Sequence, residues 1–215
     1  MTDEEAIKLI EKEFQDKTFG VTEQYLEIHA PIYINNKLQV ARIDRDHDKL
    51  IIAYLPVQNE RFYFAVYIDD DLGKLINIGT EPAHWVYFFV TSNNLSETEL
   101  KAMCSLSVYE SWNKGDLKRN GRSAHQNSGL KIMPNIEPDE FEDKLDKLLT
   151  YLETDQKGIS ELVEKADGYI QVAMDIHNGN GMIGGPNISR ENIARMHNLG
   201  LSINFDLYVG GNSFK

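Results

Sequence analysis

Hydrophobic and polar positions change their period along this chain, and the changes mark its elements. Ile7, Ile10 and Phe14 share one helical face, and Thr2 with Glu5 has capping-box spacing. A first helix is expected there, ending near "DKTFG" with Gly20 as its stop. From "YLEIHAPIYI" onward the pattern predicts strands, continuing through "KLQVARID", "KLIIAYLPV", "RFYFAVYID" and "KLINIG". The breaks "NN", "DRDHD", "QNE" and "DDDLG" are turn chemistry. In "RFYFAVYI", Phe62, Phe64, Val66 and Ile68 alternate with Tyr63, Ala65 and Tyr67. That predicts a sheet with one face fully buried and the other partly wet. Residues 1–81 thus read as a helix packed on an antiparallel meander.

"TEPAH" interrupts the strands, and "WVYFFVTS" reads as a buried strand. Ser96 and Glu99 form a second capping box, with Leu95 and Leu100 at the staple positions. "SVYESWNKGD" predicts a short strand turning at Gly115, and "SGLKIMP" another. "EPDEFEDKLDKLLTYLE" predicts a helix with Pro138 in its first turn and an apolar stripe of Phe141, Leu145, Leu148, Leu149 and Leu152. A further helix is expected over 157–166, and "YIQVAMDIH" has the period of a strand. "SRENIARMHNLG" reads as a helix with Ser189 as N-cap and Gly200 past its end. "LSINFDLYVGG" closes the chain as a strand, giving residues 82–215 a split β-α-β character. The fold class expected is α+β: antiparallel sheets with helices on one face, in two parts of similar size.

This order carries Ser111, Trp112, Lys114, Gly115 and Asp116 in one turn, then Pro186, Ile188 and Ser189 before a helix. Leu199, Gly200, Leu201, Ile203, Asp206 and Tyr208 follow in the last strand. With these pieces, residues of about 84–215 resemble a bacterial family known as domain of unknown function 4279. One departure is that family members often carry a Trp after the KGD turn, where "SGLKIM" offers Leu130 or Ile132. The resemblance implies a domain boundary and no activity.

The bulk numbers narrow the picture further. The chain has 215 residues with a formal net charge of -12, the acids spread over both parts. Nucleic-acid binding needs clustered cations and is not expected, whereas a basic protein partner is compatible. Cys104 is the single cysteine, among apolar neighbours, and reads as a small buried hydrophobe. No apolar run approaches a membrane span, and "MTDEEAIKLIEKEF" lacks the basic and apolar regions of a secretion signal. A cytoplasmic location without membrane attachment is expected.

Candidate chemistry begins with "HNGNGMIGGPNIS", which has four glycines in seven positions before a helix. No Lys follows Gly184 or Gly185, and Pro186 intervenes where a dinucleotide loop through Gly179, Gly181 and Gly184 would open its helix. A strain-relieving crossover is expected. Asp44, Asp46 and Asp48 imitate the start of a calcium loop, but Lys49 and Leu55 occupy positions needing Gly and Glu, so a hairpin turn of solvated acids is expected. The six histidines show no HxH or HExxH pairing, so neither metal nor cofactor is expected. Asp175 and His177 could share a strand face as an acid/base pair, or simply hydrogen-bond at the surface. The remaining constellation is Trp112, Lys114 and Asp116, with Asp206 and Tyr208, read as a candidate binding patch. Its plainer explanation has Trp112 plugging the core edge and Lys114 pairing with a neighbouring acid.

With no complete catalytic motif, the expectation is a non-catalytic protein-binding module, such as an immunity-type inhibitor of a basic partner. The alternative is a small-molecule or nucleotide-handling enzyme using the glycine-rich loop or the Trp112–Asp116 turn.

Overall fold

The computed structural model describes residues 1–179 and 185–214. Two helices open the chain, α1 (Asp3–Asp16) and α2 (Gly20–Ile28). A two-stranded ribbon follows, β1 (Tyr33–Ile34) and β2 (Lys37–Leu38). Then comes an antiparallel four-stranded sheet of β3 (Arg42–His47), β4 (Leu50–Pro56), β5 (Tyr63–Asp69) and β6 (Lys74–Glu81), in sequence order. Only Pro82 separates β6 from β7 (Ala83–Ser92), which belongs to a second sheet. A proline gives no ladder N–H and keeps its predecessor extended, so the chain changes sheet without turning back.

The second part runs α3 (Glu97–Ala102), β8 (Glu110–Trp112), β9 (Ser128–Ile132), α4 (Phe141–Glu153) and α5 (Gln156–Lys165). It closes with β10 (Asp167–His177), α6 (Arg190–Asn198) and β11 (Ile203–Gly210). The strand order is β11-β10-β7-β9-β8. All its pairings are antiparallel except β10 with β11, which is parallel across α6. A crossover helix is what a parallel neighbour requires. The fold is α+β, as the hydrophobic pattern implied.

Each sheet has its own core. Ala6, Ile10 and Phe14 of α1 and Tyr25 of α2 pack on Ile51, Leu55, Phe64, Val66 and Ile68. Helices α3 to α6 pack on one face of the five-stranded sheet, where Leu145, Leu148, Leu149, Leu152, Ile159 and Leu162 meet Phe88, Leu130, Ile132, Ile170 and Val172. The second face of the four-stranded sheet, with Ile52, Tyr54 and Ala65, is buried as well. Its outer strand β3 is tied to the start of α4, Arg42 lying 2.8 Å from Asp139 and Lys147 lying 3.0 Å from Asp46.

Four expectations are corrected. Gly20 does not stop the first helix: α1 ends at Lys17 in the left-handed region, and Gly20 opens α2. "YLEI" is helical because the buried Glu13 carboxylate accepts from the amides of Thr18 and Phe19 and from the hydroxyls of Thr18 and Thr22. A carboxylate on α1 thus satisfies groups at the entrance to α2, whose own N-cap Phe19 has no side chain able to do so. "DRDHD" is mostly strand: β3 runs through it with a bulge, Asp44 is fully buried, and the turn narrows to Asp48–Lys49. The long helix begins at Phe141 rather than around Pro138, because Pro138 and Asp139 are spent on holding Arg42 and Lys147.

Candidate functional site

Register decides which side chains share the face of the five-stranded sheet that carries no helix. Aligned across the strands are Tyr208, Asp175 and Ala83, then Asp206, Ala173 and Trp85, then Asn204, Gln171 and Tyr87. The next rows are Tyr169, Phe89, Lys131 and Glu110, then Asp167, Thr91, Gly129 and Trp112. Alternation sends their neighbours Val86, Phe88, Val90, Ile170 and Val172 into the helical core. Trp85 is 41% exposed and Tyr208 55%, while Tyr87, Phe89 and Tyr169 are half-buried. "WVYFFVTS" is therefore not buried on both sides, as its hydrophobicity suggested.

The rings are organised around Lys131. Its Nζ lies 5.3, 5.9 and 5.8 Å from the ring centroids of Tyr87, Phe89 and Trp112. It also pairs with Glu110 at 3.0 Å, as does Arg119. Burial opposes the charged form of Glu110, but hydrogen bonding and charge from Lys131 hold its carboxyl below the ordinary range. Phe89 meets Tyr169 edge-on at 5.5 Å. Trp112 stacks on His125 at 4.7 Å and donates its Nε1 hydrogen to Asn127 O at 3.0 Å. Its ring lies over Gly129, where a Cβ would come within 2.5 Å of Trp112 Cζ2. Phe89, Glu110, Trp112, His125, Lys131 and Tyr169 enclose a groove of about 370 Å³.

The candidate residues read from the sequence fall into two groups. Trp112 is 7% exposed on edge strand β8, while Lys114 and Asp116 are exposed in the turn behind it. Asp116 accepts from Asn113 N at 2.7 Å, and Lys114 is tied by its backbone N–H to Ser128 Oγ at 3.1 Å. Asp206 and Tyr208 stand on the opposite edge strand, β11, across four inter-strand steps of about 4.8 Å each. They share a face with Trp112 without touching it. Asp206 accepts from Gln171 Nε2 at 3.1 Å. The residues between the groups, Trp85, Tyr87, Phe89, Tyr169 and Lys131, were missed. Their signal was aromatic alternation at 85, 87 and 89, hidden by equally hydrophobic residues between them.

Residues 81–210 match a family model described as Domain of unknown function (DUF4279). The chain belongs to the DUF4279 family. No curated protein and no solved structure matches it. The five-stranded sheet, with its aromatic face, lies within the DUF4279 match, and the four-stranded sheet precedes it apart from the last residue of β6.

A second feature lies at the seam between the sheets. Glu81, His84, Glu140, Phe141, Met174 and Gly185 are among the residues lining a cleft of about 370 Å³. Burial, then the charge of Glu140, pushes the Glu81 carboxyl up to about 8. His84 Nδ1 lies 3.8 Å from Glu81 and 3.0 Å from Asp139 O, and burial pushes its pKa down. Of the glycine-rich segment, residues 180–184 lie outside the described residues. Asp175 and His177 do not form a pair: Asp175 faces Arg61 at 3.7 Å, while His177 is buried against His29, their Nε2 atoms 2.8 Å apart.

Proposed function

We propose that this DUF4279 protein is a non-catalytic binding module whose helix-free sheet face docks a basic polypeptide partner. One observation carries the reading: Trp85, Tyr87, Phe89, Tyr169 and Tyr208 share a face that no helix of the described residues covers. Aromatic residues supply the anchors of protein interfaces, and exposed rings also attract Arg and Lys through their faces. Asp167, Asp175 and Asp206 share the face, and a net charge of -12 steers cations toward the molecule. Strands β11, β10, β7, β9 and β8 have 8, 11, 10, 5 and 3 residues, so at about 3.3 Å per residue and about 4.8 Å between strands the face spans about 600 Å², below the ~800 Å² that a partner buries in a standard interface but large enough for a small one. An immunity-type role in the bacterial cytoplasm, masking a basic toxin, uses the same chemistry.

The test is capture of a partner from the native host at low salt by the parent and by a Trp85→Ala/Tyr208→Ala double variant. A basic protein retained by the parent, lost at about 1 M salt and lost in the variant, is the expected result. Retention by both chains alike contradicts the proposal.

A second reading rests on the seam cleft, where a carboxyl of pKa about 8 beside His84 resembles acid/base machinery for a small molecule. Turnover that disappears in Glu81→Gln and survives in the aromatic double variant would favour it.

A further inference from the structure

The seam holds a second constellation. Asp44 and His47 are three apart on β3, and strict alternation would send them to opposite faces. The register shifts between them, and this bulge brings both side chains to the side that meets α4. Asp143, in the first turn of α4, completes the group. His47 Nε2 lies 3.5 Å from Asp143 Oδ2 and 3.7 Å from Asp44 Oδ2, and all three atoms lie within 4.8 Å of one another.

These atoms share a second property. Asp44 Oδ2, His47 Nε2 and Asp143 Oδ2 are each buried with no hydrogen-bond partner among the described residues. Asp44 is 1% exposed, and its other oxygen is already used, accepting from Asp46 N at 2.8 Å and facing Arg42 at 3.0 Å. Oδ2 is thus left aimed at His47 and Asp143. Buried polar atoms ordinarily have partners, and three convergent exceptions point to something they hold in common.

We propose that Asp44, His47 and Asp143 bind one divalent transition cation, which fastens the N-terminal sheet to the DUF4279 domain. Two ligand atoms on a tetrahedral ion at ~2.0–2.1 Å stand about 3.4 Å apart, and the two measured separations lie close to that. One imidazole with two carboxylates suits Zn²⁺ or Mn²⁺. Arg42 and Lys147 also face this cluster, but each is engaged by other carboxylates, Asp46 and Asp139. Two ligands come from one side of the seam and one from the other, so the bound ion joins segments about 100 residues apart in sequence.

The experiment titrates Zn²⁺, and separately Mn²⁺, into the full, untagged, chelator-treated chain by calorimetry. Uptake of one ion per chain by at least one of these metals is expected. Its affinity should fall at least about tenfold in Asp143→Asn and in His47→Gln. Affinity should be unchanged in His197→Gln, a control on the exposed side of α6. The ion should also raise the melting temperature of the parent more than that of Asp143→Asn at equal concentration. Asp143 is only half-buried and the exchange is isosteric, so this variant carries the test if Asp44→Asn fails to fold. Absence of uptake by the parent, or equal uptake by parent and His47→Gln, overturns the proposal.

Discussion

Trp112 shows what a single residue does at the edge of the helix-free face. Its ring covers Gly129 on the helix-free face, stacks on His125 and spends its only donor on Asn127 O. Truncation to alanine removes that packing and leaves Asn127 O without its donor. We expect Trp112→Ala to cost about 3 kcal/mol or more, read as a lower denaturant midpoint at constant slope. Trp85, at 41% exposed, should cost under about 1 kcal/mol when truncated, because little of its packing is lost. The two tryptophans therefore separate stability from the proposed binding. The sequence singled out Trp112 through its turn. It could not rank Trp85 above Phe88, because which of two alternating hydrophobic rows is covered depends on where distant helices dock.

At the scale of elements, local signals were legible and tertiary ones were not. The capping boxes of Thr2 with Glu5 and Ser96 with Glu99, and the Ser189 N-cap, involve residues within one turn, and all three form. Helix α2 escaped because its entrance is satisfied by Glu13 from the preceding helix. The bulge in β3 escaped because it serves buried contacts with α4, remote in sequence. Glu13→Ala should leave the hydroxyl and amide donors at the start of α2 without an acceptor and destabilise the protein by about 1–3 kcal/mol. Native-state hydrogen exchange locates the effect: amides of residues 22–28 should lose more protection than those of α1. Equal loss in both helices would contradict the idea of a cap supplied from outside α2.

Across the whole molecule, the seam joins the two sheets through groups whose charge depends on pH. Gly179 N donates to His177 Nδ1, which leaves Nε2–H of His177 to donate to His29 Nε2 and to Asn212 O. Burial pushes both pKa values down, opposed at His29 by Glu60 and reinforced at His177 by His29. Both rings are neutral in the fold, whereas the unfolded chain takes up protons near pH 6.5. Their contribution is fully present above that pH and is lost as pH falls through the depressed folded values. The pair's contribution to the melting temperature should therefore shrink as pH falls below about 6.5, opposite in sign to that of Glu81, so the gap between the parent and His29→Gln should narrow over that range. An unchanged gap would remove the pair from the seam's stability.

On the function proposed above, the helix-free aromatic face is where this DUF4279 protein meets its partner. Hydrogen–deuterium exchange on the chain with and without a captured partner tests it most directly. Protection confined to β7 from Trp85 onward, β10 and β11, strongest around residues 85–89 and 204–208, is the expected result. Protection at the seam cleft around Glu81 and His84, or on the outward sides of α4 to α6, would contradict it.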